Sequence, residues 1–188
     1  MRIISGLFKG KKILQPKDLK TRPLKDLTKE SIFNIINHSN KFKVYINEAN
    51  ILDIFSGVGS FGLECLSRGA KKVIFIENYK EVLSVLKENL SSLQKIKNYK
   101  IIEKNAYDKD IFLNLVESFD IIFLDPPYKE ENFCMILNNI YKKKILSNNG
   151  IIILHRHINS KDNFPKEFKI IEDKKYGISR VLFLSYLN

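Results

Sequence analysis

Cysteine is almost missing from this 188-residue chain, and tryptophan is absent. The two cysteines, Cys65 and Cys134, are too few and too far apart for a disulfide framework or a four-ligand zinc site. Together they point to a reducing, cytoplasmic compartment. Long apolar runs are missing too: no stretch approaches the roughly 18 uncharged residues of a membrane span. The opening Met1-Arg2-Ile3-Ile4-Ser5-Gly6 lacks the apolar core of a signal peptide. Acid is scarce, with 21 Asp and Glu against 32 Lys and Arg, a formal net charge of +11 and a pI near 9.5. Such an excess suits a polyanionic partner, because cations that neutralise phosphates release condensed counterions. It also suits plain solubility. Abundant Lys, Asn and Ile is the mark of an AT-rich coding bias, which accounts for part of the Lys excess.

The position of the charge separates those readings. Residues 1–30 hold nine basic residues, Arg2, Lys9, Lys11, Lys12, Lys17, Lys20, Arg22, Lys25 and Lys29, against Asp18, Asp26 and Glu30, so 9 − 3 = +6. More than half of the excess lies in under a fifth of the chain. Phe8 interleaves with it, as on a surface that meets phosphates and stacked bases together.

From residue 50 onward, short apolar runs alternate with amphipathic stretches, the pattern of a parallel sheet buried between helices. Strands are expected at Ile51–Phe55, Lys72–Glu77, Ile101–Glu103, Ile121–Leu124 and Ile151–Leu154. Helices are expected at about Ser60–Ser67, around Val82, Leu86, Leu90 and Leu93, and at Asn132–Lys143. Phe168–Asp173 and Val181–Tyr186 flank Tyr176-Gly177 as a hairpin. Residues 1–48 read as a basic extension with a helix at about Leu24–Asn37, Pro23 fitting its first turn. Residues 49–188 form the main domain.

Three features carry chemistry. Gly57-Val58-Gly59-Ser60-Phe61-Gly62 fits G-x-G-x-x-G, and acidic Glu77 follows at the end of the next strand. This suits a nicotinamide dinucleotide as well as S-adenosylmethionine (SAM). Asp53, four residues before Gly57, tilts the choice. A carboxylate aimed into that turn would repel a pyrophosphate but suits the ammonium of SAM or a bound water; the plainer reading is a solvated strand end. Asn105-Ala106, after the third strand, sits where an adenine would lie.

The sharpest signal is Asp125-Pro126-Pro127-Tyr128, at the carboxyl end of the fourth strand, where open α/β sheets bind ligands. The Asp125 carboxylate and the Pro126 carbonyl can accept both hydrogens of an exocyclic base amine and aim its lone pair. The prolines stiffen that geometry in advance, and Tyr128 offers a ring for the base to stack on. In-line displacement at a sulfonium methyl needs no metal. As a bare tetrapeptide it would read as an ordinary turn; behind an apolar strand and downstream of a glycine loop it reads as a site. His155-Arg156-His157 reads as a solvated strand end, Cys65 and Cys134 as small core residues, and Lys142-Lys143-Lys144 as a wet helix end.

In this order the motifs resemble the RsmD-like bacterial methyltransferases that modify a guanine N2 in 16S ribosomal RNA. The resemblance runs from Arg2-Ile3-Ile4-Ser5-Gly6 and Lys9-Gly10-Lys11-Lys12 through Thr21-Arg22-Pro23, Asp26, Lys29-Glu30 and Phe33-Asn34. It continues through Leu52 to Gly59, Leu63-Glu64, Leu66 to Ala70, Glu77, Asn105-Ala106 and Asp125 to Tyr128, reaching Tyr176-Gly177. It implies a class I SAM-methyltransferase, Rossmann-like α/β fold, with a seven-stranded, mostly parallel sheet and one antiparallel strand in a C-terminal hairpin. It implies that Asp53, Phe55, Ser56, Gly57, Gly59, Glu77, Asn78, Asn105 and Ala106 line SAM. Asp125, Pro126, Pro127 and Tyr128 would hold the guanine, and Arg2, Lys9, Lys11, Lys12, Arg22 and Lys25 would grip RNA. The implied partner is 16S ribosomal RNA or the small ribosomal subunit, with a monomer as the default and no metal or membrane. The chain departs from the family at Leu24, at Leu27, and at His155, where Glu is usual. An adenine-N6 methyltransferase acting on DNA, a hydride-transfer enzyme, and a non-enzymatic RNA-binding protein on the same scaffold are the rivals.

Overall fold

The computed structural model describes residues 1–16, 24–127 and 132–187. The elements run α1 (Asp26–His38), β1 (Asn50–Ile54), α2 (Ser60–Ser67), β2 (Lys72–Ile76), α3 (Lys80–Ser92), β3 (Tyr99–Ile102), α4 (Lys109–Leu113), β4 (Phe119–Leu124), α5 (Phe133–Lys143), β5 (Leu146–His157), β6 (Phe168–Tyr176) and β7 (Ser179–Tyr186). The strands form one sheet in the order β3-β2-β1-β4-β5-β7-β6. All neighbours pair in parallel except β7, which is antiparallel to both β5 and β6. This is the seven-stranded, mostly parallel sheet with a terminal hairpin that the alternation of apolar runs implies.

Alternation along each strand divides the core in two. Ile51, Val73, Phe75, Ile121, Phe123, Ile153 and Phe183 pack with α1, α2 and α3 on one face. Leu52, Ile54, Ile74, Ile122, Leu124, Ile152 and Leu184 pack with α4 and α5 on the other. With both faces covered, the central strands are apolar at nearly every position. Phe61 of α2 stacks between Phe33 of α1 and Phe123 of β4, with ring centroids 5.2 and 4.2 Å apart. Gly62 is obligatory here, because a Cβ on it would lie 2.2 Å from the Phe75 ring.

The chain starts at β1, winds outward to β3, then crosses back to β4 on the other side of β1. The carboxyl ends of β1 and β4 therefore frame the crevice of a topological switch point.

Several expectations shift. The fifth strand covers Leu146–His157 rather than Ile151–Leu154, because β7 pairs with it as far as His157↔Ser179. His155 and Arg156 are consequently buried inside the strand and are not a solvated end. α1 begins at Asp26, after the expected Leu24, and Pro23 lies outside the described residues. α4 went unforeseen because five residues are too short to display a helical period. Cys65 is core, but Cys134 is half-buried and its thiol donates to the Asn163 carbonyl at 2.7 Å.

Residues before β1 are docked tightly. Ile3, Ile13, Leu24, Ile32, Phe33, Ile36, Val44 and Ile46 all join the core of the α2 face. The Glu64 carboxylate of α2 accepts the N–H groups of Ile4 and Ser5 at 2.7 and 2.9 Å. Ser67 accepts from Phe8 through its hydroxyl and donates to the Ser5 carbonyl. Gly6, at φ +82°, lets the chain pass where a Cβ would overlap the Ser67 carbonyl.

Candidate functional site

The loop after β1 is held from two sides by carboxylates. Asp53, on the β1 face that meets α2, is buried and accepts the Gly62 N–H at 3.0 Å. α2 has no side-chain cap of its own, its N-cap being Gly59 in the left-handed region. Asp53 thus satisfies one of the orphan donors of that helix from the neighbouring strand. Burial drives the Asp53 pKa well above the usual carboxylate range; the Gly62 hydrogen bond opposes this, while the charges of Asp125 and Glu77 add to it. The solvated-end reading of Asp53 is therefore excluded. Glu77, just beyond β2, accepts the Gly57 N–H at 2.8 Å through one oxygen, and those of Asn78 and Tyr79 at 2.9 and 3.0 Å through the other. One carboxylate so ties the glycine loop to the end of β2. Ser56 is buried, with its N–H on the Ile76 carbonyl at 3.1 Å. Phe55 sits at φ +60° with its ring 5.7 Å from that of Tyr107. Asn105 is exposed and turns its side-chain oxygen to the Tyr107 N–H at 3.1 Å, beside buried Ala106. Asn78 is exposed at the same end of the sheet.

The second loop leaves β4 directly alongside. The Asp125 N–H still reaches the Ile54 carbonyl of β1, at 3.3 Å, and its side chain is 21% exposed. Pro126 is buried and Pro127 exposed; Tyr128 lies outside the described residues. Successive residues of β5 grip this loop from opposite faces. His155 places Nδ1 2.8 Å from Asp125 Oδ1. Arg156, 2% exposed, donates through Nη1 to the Pro127 carbonyl at 3.4 Å and pairs with buried Asp162 at 3.0 Å. Its guanidinium also lies 4.8 Å from the Phe133 ring. Burial disfavours the His155 imidazolium, yet the charge of Asp125 and its hydrogen bond outweigh that and hold the pKa above the ordinary 6.5.

Sequence reasoning placed both β5 residues at a solvated strand end, because they come 30 and 29 positions after the loop residues they touch. It missed Asn89 of α3, whose side chain bonds the Leu14 N–H at 2.8 Å and the Val58 carbonyl at 3.1 Å, joining the basic segment to the glycine loop. Of the basic residues proposed for nucleic acid, Arg2, Lys9, Lys12 and Lys25 are exposed. Lys11 is partly buried and donates to the Ser92 carbonyl. Arg22 lies outside the described residues. Lys29, counted with the surface charge, is fully buried and donates to the Arg2 carbonyl at 2.7 Å beside Glu64. Among the described residues, no group of three or more His, Cys, Asp or Glu could hold a metal ion, and no helix is long and apolar enough to cross a membrane.

Residues 1–185 match the model of a family described as Conserved hypothetical protein 95. The ribosomal RNA small subunit methyltransferase D of Haemophilus influenzae is 32% identical over 182 residues, covering 95% of this chain and 90% of that protein. The Escherichia coli protein of the same name is 28% identical over 178 residues, covering 94% and 85%. A solved Escherichia coli structure, described as a putative methyltransferase, aligns with a TM-score of 0.83 at 27% identity, over 99% of this chain and 97% of that one.

Proposed function

The chain belongs to the Conserved hypothetical protein 95 family, and from that premise we propose that it transfers a methyl group from SAM to the exocyclic N2 amine of a guanine in 16S ribosomal RNA. The observation that carries the reading is the placement of Asp125: a half-buried carboxylate, fixed by β5, at the switch point beside the glycine loop. Small subunit methyltransferases D among the relatives support the RNA substrate.

The residues present fit SAM. Glu77 spends acceptor sites on Gly57, Asn78 and Tyr79 and keeps one lone pair on the Gly57-bonded oxygen for a ribose hydroxyl. Asp53 and the backbone of Phe55, Ser56, Gly57 and Gly59 would face the methionine end. Asn78, Asn105 and Ala106 would border the adenine. When bound, SAM supplies a methyl on a sulfonium leaving group.

Asp125 and the Pro126 carbonyl take the two amine hydrogens, which turns the nitrogen lone pair out of conjugation with the ring and along the line of attack. The carboxylate also stabilises the positive charge that grows on nitrogen. Pro126 and Pro127 fix that geometry before the base arrives, and Tyr128 stacks on the base. A guanine paired in its helix must be extruded first. Exposed Arg2, Lys9, Lys12 and Lys25 meet the phosphates, with Lys11 and Arg22 completing the proposed contact set.

Transfer of labelled methyl from SAM to small ribosomal subunits, stripped 16S RNA and DNA in parallel, with nucleoside analysis, tests this. N2-methylguanosine in an RNA lane is expected, and Asp125→Ala should lower turnover by about 10²–10³-fold with SAM affinity nearly intact. N6-methyladenine in the DNA lane would replace the proposal, and full turnover by the variant would refute the role of Asp125.

A further inference from the structure

Resting on that methyl-transfer reading, we propose that His155 is a positioning residue for Asp125, and that its protonation state controls how strongly the carboxylate engages the substrate amine. The imidazole packs at the end of β5, 8% exposed, with Nδ1 2.8 Å from one carboxylate oxygen. It therefore fixes which oxygen and which lone pairs are left to face the crevice. Among the described residues, the charged groups on the elements that flank the pair are as follows. From its own strand the adjacent Arg156 turns to the opposite sheet face and onto Asp162. From β7 the residue opposite His155 is apolar Val181. From β1 the nearest acid is buried Asp53, whose pKa burial pushes well above the carboxylate range. Against burial and the nearby charge of Arg156, the charge of Asp125 and its hydrogen bond raise the His155 pKa.

In the imidazolium form, the bond to Asp125 is a charge-assisted ion pair, and part of the carboxylate's negative charge is committed away from the amine. In the neutral form, the carboxylate keeps its position but offers its full charge to the nitrogen. Turnover therefore falls as pH drops through the His155 pKa, which lies above 6.5 because the pull of Asp125 exceeds the cost of burial.

Two measurements test this, one of them independent of catalysis. Imidazole NMR titration follows the three histidines, His38, His155 and His157. One should titrate above 6.5 and move down in Asp125→Asn; a titration indifferent to that substitution would overturn the coupling. In the methyl-transfer assay, His155→Gln should retain an amide donor to Asp125 and flatten the acid limb of the kcat profile. His155→Ala should lower kcat by on the order of tenfold to a hundredfold at every pH, with KM for SAM little changed. An acid limb in His155→Gln identical to that of the unaltered chain would sink the proposal and leave the enzyme's function standing. Absence of methyl transfer to any nucleic acid by the unaltered chain would overturn the functional reading itself, and this inference with it.

Discussion

The glycine loop after β1 and the Asp-Pro-Pro loop after β4 leave neighbouring strands at the same end of the sheet, yet they are held by different kinds of bond. Around the glycine loop, carboxylates grip the backbone: Asp53 takes Gly62, and Glu77 takes Gly57, Asn78 and Tyr79. Around the second loop, side chains of a distant strand do the holding, His155 on the Asp125 carboxylate and Arg156 on the Pro127 carbonyl. A backbone grip demands little more than glycines and an acid at set spacings, so it is written in a short motif. A side-chain grip depends on which strand lands beside the loop, and therefore on the whole sheet order.

The sharpest way to break the second grip without touching the first is Asp162→Ala. It strands the buried Arg156 guanidinium without its carboxylate, and should cost about 3–5 kcal/mol of unfolding free energy in denaturant melts. Affinity for SAM by calorimetry should change far less than methyl transfer. A loss of stability within error would mean that Arg156 does not anchor the loop.

Glu77→Ala reverses the emphasis. Three N–H groups lose a charged acceptor, and at about 1.5–3 kcal/mol for a hydrogen bond to a charge SAM should bind roughly tenfold to a hundredfold more weakly, with the fold retained. Unchanged affinity would remove Glu77 from the cofactor site.

The smallest effect is expected at Asp53, and it runs toward greater stability. Its folded pKa is raised above 3.8 by burial, so the folded state holds the proton longer than the unfolded chain does. Stability is accordingly lost as pH climbs from about the unfolded value through the raised one. Asp53→Asn keeps an oxygen for the Gly62 N–H and removes that loss. The variant should match the unaltered chain below pH 3.8 and exceed it in stability at neutral pH, with weaker SAM binding. Thermal melts across pH would show it; a variant destabilised at neutral pH would count against the argument. A carboxyl kept in an unfavourable place would, if Asp53 lines SAM as proposed, be a trade of stability for function.

The same contrast explains what could be read in advance. The apolar runs foretold every strand of the sheet, and α2 spans Ser60–Ser67 as its pattern implied, because burial on both faces leaves a direct trace in composition. Asp53, Glu77 and Asp125 could be singled out as candidates because each lies within a few residues of a strand end. His155 and Arg156 were misread because the end of β5 is set by β7, a strand 22 or more residues later that pairs up to His157. The burial and pairing of Lys29 and Glu64 were unforeseen for a related reason: a charge in a sequence looks like surface until a partner from a distant segment is seen beneath it.

That buried contact bears on the shape of any RNA that the proposed site would take. α2 begins at the glycine loop and ends under the basic segment, where Glu64 and Ser67 hold Ile4, Ser5 and Phe8. Eight helical residues rise about 12 Å, so one stiff rod sets the interval between the glycine loop proposed to seat the methyl donor and the cations proposed to meet phosphate. On the proposed reading the molecule would act as a caliper of fixed jaw width, accepting an RNA fold only where its strand and its turned-out base span that gap.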